Sequence, residues 1–344
     1  MKKVTMQTIA DELGVSKSLV SLTLNDKYGV SSEMRYTIFR KALELDFDFN
    51  YKYKNRSKDS KRKICIFINR DHAIKSSYFG KFIEGAEKAF IKDNYKYELI
   101  FWNNDSTPKD LFEHLALKDV KGIIVLHDLK TEILDIINKL NIPIVFADED
   151  HYLNGKYTSI RTNNYLCGVL CASYLYKQGH RHIAFLGAIK NKLSYGERFY
   201  GAKNIIDLYN SQNKDDKAYI YYIKDTKSIE DELARLQAMT PRATAVICVT
   251  KIYAKKAIDT LKKYNQYKTK NLSIIAVDDC DVIPDFLENI TSIKHSVSKI
   301  GECAARTIID NIEKKDLTQK TILCEVEMVE GTSTINLKEY KFFS

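Results

Sequence analysis

The apolar positions change period near residue 63. Before it they recur at helical spacing. Ile9, Ala10 and Leu13 share one face of a first short helix, and Val20 and Leu24 sit at i, i+4 on a second over 17–25. Ile38 or Phe39, Ala42 and Leu45 face inward on a third, over about 32–45. Thr5, Ser16 and Ser31 stand where N-caps are needed, and Gly14 stands where the first helix needs a left-handed exit. A helix, a tight glycine turn and a second helix make a helix-turn-helix unit. The third helix completes a core that two cannot bury. Residues 51–63 then read YKYKNRSKDSKRK; seven of these thirteen are Lys or Arg and none is aliphatic, the composition of a linker.

After the linker, short apolar runs alternate with helical stretches. The predicted strands are 64–68, 97–102, 122–126, 144–147, 182–187, 219–223, 245–249 and 272–277. Helices are expected from Phe79 to about Asn94, from Pro108, from Thr131, from Tyr165 to Gln178, from Arg198, from Ile229 and from about Tyr253. A strand–helix repeat of roughly 25–30 residues is the mark of parallel α/β sheets, here two in succession. Ligands in such folds sit outside the carboxyl ends of the strands, and two such domains facing each other make a cleft there.

Length and charge sharpen this. A chain of 344 residues exceeds what one core usually serves, so two or three domains are expected. The net charge of +9 is unevenly placed. Residues 1–63 hold 14 Lys and Arg against 8 Asp and Glu, about two thirds of the excess. A basic head on a nearly neutral body suggests a polyanionic partner for the head. No run of 18 apolar residues and no hydrophobic signal core occurs, so neither a membrane span nor export is expected. The seven cysteines form no C-x-x-C pair, which fits a reducing cytoplasm. Cys167 and Cys171, at i, i+4 on a helix, read as small core residues.

Enzyme signatures are missing. There is no G-x-G-x-x-G after a strand, no G-x-x-x-x-G-K-[ST] phosphate loop, no H-E-x-x-H and no G-x-S-x-G. His180 and His182 flank Arg181 before a strand, and no metal pair is expected of them. Asp278 and Asp279 are adjacent carboxylates at a strand end; neighbours there diverge, which suits a binding role for one better than acid–base work. No cofactor, no metal and no enzymatic activity are expected.

The head reads VTMQTIADELGVSKSLVSLTLN from Val4 to Asn25, then VSSEMR from Val30 to Arg35 and ALEL from Ala42 to Leu45. This closely resembles the DNA-binding domain of the lactose/galactose repressor (LacI/GalR) family of bacterial transcription regulators. The body continues the resemblance in family order: SSYFGKFIEG (76–85), VKGIIV (120–125), IPIVFAD (142–148), GHRHIAFLG (179–187), ERFYG (197–201), IAVDD (275–279) and LENITSI (287–293). The resemblance implies an N-terminal all-α helix-turn-helix domain followed by an α/β two-lobed, periplasmic-binding-protein-like (type I) domain with parallel sheets. It also implies an interleaved map. The head is 1–50 and the basic hinge 51–62. A head-proximal lobe takes 63–160 plus 292–321, a distal lobe 161–291 plus 322–334, and a tail 335–344. The implied function is an effector-controlled repressor that binds a pseudo-palindromic operator in double-stranded DNA as a homodimer. The implied effector is a carbohydrate or phosphorylated carbohydrate. Two alternatives stay open: a regulator with a degenerate cleft controlled by a protein partner, and a cytosolic α/β enzyme with a basic tail.

By position, Lys17 and Ser18 match the family's specificity pair on the reading helix, where Lys can donate to guanine O6 and N7. Thr5, Ser16, Ser21 and Asn25 match positions that hold phosphates. Leu22 replaces a common arginine, so one bidentate guanine contact is missing and a thymine methyl can meet the leucine instead. In the linker Phe49 takes a proline's place, Asn50 is kept, and Arg56 stands where a leucine wedge is usual. An arginine is drawn to a narrow A·T-rich minor groove and does not unstack a base step.

In the cleft, Tyr78 matches an aromatic of the first loop, Asp148 a strand-end hydroxyl acceptor, Arg198 the effector arginine at the opening of a helix, and Asp278 the effector aspartate. Thr250-Lys251 departs from the family's Asn-Asp or Ser-Asp. A carboxylate has become an ammonium there, which favours an anionic effector if Lys251 faces the cleft.

Overall fold

The computed structural model describes residues 4–24, 29–31, 63–75, 78–103, 105–106, 120–131, 133–134, 142–148, 157–190, 192–223, 229–238, 240–263, 272–277, 290–314, 318–340 and single positions between 34 and 47. The predicted helices from Pro108 and Thr131 fall largely outside these residues, as do Asn25, Phe49, Asn50, Arg56, Asp278 and Asp279.

At the N-terminus, α1 spans Met6–Leu13 and α2 spans Lys17–Leu24. Thr5 and Thr8 cap α1 reciprocally, and Gly14 leaves it at φ 64. A side-chain-bearing residue is strained at that angle, which is why a glycine stands there. The Leu19 amide donates to Ser16 Oγ at 3.1 Å, and the Met34 amide to Ser31 Oγ at 3.3 Å, so all three expected caps form. Ile9, Ala10, Val20, Leu24, Ile38 and Ala42 are buried together with Phe47.

Beyond the linker lie two sheets with one strand order. The first contains β1 (Lys63–Asn69), β2 (Lys96–Trp102), β3 (Val120–Leu126), β4 (Ile144–Ala147), β5 (Thr158–Thr162) and the later β11 (Thr321–Cys324), in the order β11-β5-β4-β3-β1-β2. The second contains β6 (His182–Leu186), β7 (Tyr219–Ile223), β8 (Ala245–Cys248), β9 (Ser273–Val277), β10 (Ser292–His295) and β12 (Val326–Val329), in the order β12-β10-β9-β8-β6-β7. The pairs among β1–β5 and among β6–β10 are parallel, and β12 joins β10 antiparallel. Each sheet therefore starts in its interior, steps to one edge and returns across its first strand. That reversal puts a topological switch point between β1 and β3 in one sheet and between β6 and β8 in the other. The parallel strands are near-continuous apolar runs because helices cover both faces. Ile64, Ile66, Phe67, Ile123 and Val125 are fully buried, as are Ile183, Phe185, Val246 and Ile275.

The helices are α3 (Arg70–Lys75), α4 (Tyr78–Lys92), α5 (Asn164–Lys177), α6 (Leu193–Gln212), α7 (Ile229–Ala238), α8 (Lys251–Lys263), α9 (Val297–Lys314) and α10 (Leu337–Tyr340). Two pairs pack through facing glycines. A Cβ on Gly85 of α4 would lie 1.8 Å from the Ser298 carbonyl oxygen, and one on Gly301 of α9 would lie 2.0 Å from that of Phe82. The same arrangement recurs between α5 and α6. There a Cβ on Gly168 would lie 1.9 Å from the Arg198 carbonyl oxygen, and one on Gly201 would lie 2.1 Å from that of Tyr165. Only a residue without a side chain lets these backbones approach so closely.

The chain divides into two units. Unit 1 holds residues through 149 with 153–161 and 297–322, and unit 2 holds 162–296 and 323–344 with the short stretch 150–152. The expected map placed 292–296 in the first lobe. β10 instead pairs with β9 and β12, so the chain leaves unit 2 after Ser296. The expected tail from 335 is also corrected in part, because residues to 340 belong to unit 2. The Leu337 amide donates to the Gln178 carbonyl at 2.8 Å, and Ile335 is held at both backbone groups by Ser273 and His180. Strands β5, β10, β11 and β12 and helix α9 were not among the predicted elements. Cys167 and Cys171 are fully buried, and burial pushes the Cys171 thiol up.

Candidate functional site

On α2, Val20, Thr23 and Leu24 are buried, while Ser16, Lys17, Ser18 and Leu22 are exposed and Ser21 is half-buried. At 100° per residue the outward arc is centred between Ser18 and Leu22, with Lys17 and Ser21 beside it. Five of the expected DNA contacts, Ser16, Lys17, Ser18, Ser21 and Leu22, thus occupy one end or one face of a single short helix. Leu22 is 38% exposed, an apolar side chain held outward where no core needs it. Thr5 is exposed at the cap of α1, its hydroxyl 3.1 Å from that of Thr8. Asn25 and Arg56 lie outside the described residues.

In unit 1 the candidate effector residues gather at the carboxyl ends of β3 and β4. The His127 amide donates to the Ala147 carbonyl, and the Asp148 amide donates to that of Ile160, each at 2.8 Å. Each residue thus extends a ladder by one step and then turns left-handed, at φ 67 for His127 and φ 51 for Asp148. Two adjacent non-glycine residues in that region hold about 1–2 kcal/mol of strain each. His127 Nδ1 lies 3.1 Å from the Asp148 carbonyl oxygen and 3.9 Å from its Oδ2. The Tyr78 ring, in the first turn of α4, packs on the His127 ring with centroids 5.0 Å apart. Tyr78 and Asp148 are therefore brought to one place, joined by His127. Sequence reasoning missed His127; its signal was its place directly after the apolar run of β3.

In unit 2 Arg198 is 94% buried, but it does not open its helix. The helix starts five residues earlier at Leu193, and Arg198 sits in its second turn. The guanidinium donates from Nε to Asn164 Oδ1 at 2.9 Å and from an Nη to the Val249 carbonyl at 2.7 Å. It thereby ties α5 and α6 to the carboxyl end of β8. Among the described residues no carboxylate is bonded to it. Thr250 is buried at the cap position of α8, its carbonyl accepting from the Ala254 amide at 3.1 Å. Lys251 is half-buried and is the first residue of α8, not the end of a loop. Gly187, just after β6, comes so close that a Cβ there would lie 2.4 Å from Val249 Cγ1. Arg198, Thr250 and Lys251 are thus brought together at the switch point between β6 and β8, whereas Asp278 lies outside the described residues.

Known proteins place this architecture. A model of a periplasmic binding protein-like domain matches residues 172–334. The HTH-type transcriptional regulator RegA of Clostridium saccharobutylicum is 25% identical over 336 residues, covering 96% of this chain and 99% of that protein. That match spans nearly all of both chains.

The chain resembles the LacI/GalR family over nearly its whole length.

Two solved structures share the fold across nearly the whole chain. One is the complex of the transcriptional regulator CelR with cellobiose (TM-score 0.65, 18% identity, 96% of this chain and 100% of that one). The other is the lac repressor dimer bound to operator and the anti-inducer ONPF (TM-score 0.62, 17% identity, 97% and 100%). Within the family pattern, the Thr250-Lys251 pair and the leucine at 22 remain departures of this chain.

Proposed function

We propose that the protein is a DNA-binding transcriptional repressor whose operator affinity is set by a small carbohydrate-type ligand. The observation that carries the reading is α2, a short helix buried on one face and presenting Lys17, Ser18, Ser21 and Leu22 on the other, in a chain similar over 96% of its length to a transcriptional regulator. In this reading α2 lies in the major groove. Lys17 and Ser18 face base edges, Leu22 meets a thymine methyl, and Thr5, Ser16, Ser21 and Asn25 hold phosphates. Arg56 enters a narrow minor groove at the operator centre. The operator is pseudo-palindromic and is met by a homodimer, as in the lac repressor complex. Tyr78, Asp148, Arg198, Thr250, Lys251 and Asp278 contact the ligand, with His127 as an added member of the first group. A ligand that binds one arrangement of the units better than another shifts the population, and so the DNA affinity.

Among the described residues no helix is long and apolar enough to cross a membrane. A repressor meets its operator in the cytoplasm, and that is where this reading puts the protein. It has no catalytic role in this reading. Gel-shift titration of the full chain against the DNA upstream of its own gene tests the proposal. Specific retention that weakens in Lys17→Ala and changes with a sugar panel is expected. Equal binding to any DNA by both proteins would refute it.

A further inference from the structure

Unit 2 has an electrostatic oddity at its switch point. Helices α6 and α8 begin there side by side: the rings of Tyr195 and Tyr253, each in its helix's first turn, meet edge-on with centroids 6.4 Å apart. A helix N-terminus carries partial positive charge and favours an acidic residue in its first turn. Neither first turn has one. The positions hold lysines instead, Lys192 at the cap of α6 and Lys251 as the first residue of α8. The first carboxylates along the two helices are Glu197 and Asp259, both beyond the first turn. Lys192 Nζ lies 5.7 Å from the Tyr195 ring centroid, and the Arg198 guanidinium lies 5.9 Å from the same ring. Two dipole ends, a lysine at the start of each helix and a buried guanidinium therefore share one corner of the unit.

A second observation points to a ligand rather than to accident. Thr250 is 94% buried, and its Oγ1 has no hydrogen-bond partner. It holds the cap position of α8 without capping it, although threonine there normally accepts from a first-turn amide. A buried hydroxyl left unpaired keeps its full desolvation penalty. The guanidinium also has donors to spare, since only Nε and one Nη bond have partners among the described residues. What fits is a group with several anionic oxygens, which can accept from Arg198, Lys251, the Thr250 hydroxyl and the first-turn amides together.

We propose that the effector carries a phosphate group, read at the N-termini of α6 and α8 by Arg198, Thr250 and Lys251. The inference rests on the effector-binding reading above and gives that ligand its charge class: a phosphorylated rather than a neutral sugar.

The test uses the full chain and inorganic phosphate as probe, titrated calorimetrically at constant ionic strength against chloride and acetate. Thermal unfolding is followed in parallel. Because phosphate stabilises proteins generally by exclusion, the deciding quantity is the difference between the wild type and Thr250→Val and Lys251→Ala. At ten times its dissociation constant phosphate should raise the wild-type Tm by roughly 3–6 °C more than either variant's. Without phosphate the variants should unfold like the wild type. Equal phosphate responses in all three proteins would overturn the proposal. So would acetate acting as strongly as phosphate, which would assign the corner to a carboxylate. Phosphate binding seen only in Asp278→Asn would overturn it as well, by making that aspartate the counter-ion of Arg198. Failure to bind operator would strike the repressor reading and leave the phosphate result standing on its own.

Discussion

His180 lies fully buried at the amino end of the second sheet. Its Nδ1 is 2.9 Å from Thr244 Oγ1, and its Nε2 is 3.1 Å from the Ile335 carbonyl oxygen and 2.9 Å from Ser273 Oγ. The carbonyl can only accept, so Nε2 carries the proton of the neutral ring and Nδ1 accepts from the threonine. Burial is the main reason its pKa falls from 6.5 to about 4. In the unfolded chain the ring takes up a proton near pH 6.5, whereas the folded chain resists it down to about 4. The neutral ring therefore favours the folded state. Its contribution is complete above pH 6.5 and is lost as the pH falls towards 4. That interval corresponds to about 3 kcal/mol, of which about 2 kcal/mol is gone at pH 5. His180→Gln lacks this titration. It should be less stable than the wild type at pH 7.5, and the difference should shrink steadily as the pH falls to 4.5. Urea unfolding read by far-ultraviolet circular dichroism is the suitable assay, because the only tryptophan, Trp102, is in unit 1 and His180 is in unit 2. Burial also lowers the pKa of His182, but that ring is present in both proteins and cancels in the difference. Parallel pH curves for wild type and variant would refute the reasoning.

Gly168→Ala places a methyl 1.9 Å from the Arg198 carbonyl oxygen. It should cost about 1–3 kcal/mol by overpacking, lower the Tm by several degrees and abolish the phosphate response through Arg198. Gly85→Ala, at the matching place in unit 1, should cost similar stability and leave that response intact; equal loss in both variants would count against the role of Arg198. Leu22→Arg should gain about 1–3 kcal/mol of discrimination for guanine at the facing base pair, measured by competition gel shift, and no change in base preference would place Leu22 outside the groove. If the basic linker adds its charge to the head and about 6 phosphates are neutralised per bound dimer, log K should fall against log salt with a slope near −5. A shallow slope combined with a strong central kink would reject the phosphate-led reading of the linker.

The parts of the molecule legible in the sequence are those with local causes. Thr5, Ser16, Ser31 and Gly14 announce caps and an exit whose geometry depends on a few neighbours, and all three caps formed. The apolar runs at 144–147 and 219–223 became strands with unchanged bounds. What stayed hidden depends on distant partners. The run TSIRT of β5 looks polar, yet it is almost wholly buried because it lies between β4 and β11. β11 and β12 are four-residue edge strands separated by a single residue, Glu325, and belong to different sheets, which no periodicity can show. The helix start at Leu193 was missed because its first turn carries no cap and no acid, only the lysine at 192. That same absence, unhelpful for finding the helix, underlies the phosphate proposal. His127 escaped notice because a lone histidine after a strand carries no motif; its left-handed backbone and its contact with Asp148 appear only in three dimensions.

The most direct test is a hydroxyl-radical footprint of the full chain on DNA from its own upstream region at low salt, with wild type beside Lys17→Ala. The account predicts two protected half-sites related by a pseudo-dyad, with centres about one helical turn or a multiple of it apart, and loss of that pattern in the variant. Uniform cleavage with the wild type at every concentration, or a pattern unchanged by the Lys17 substitution, would contradict it.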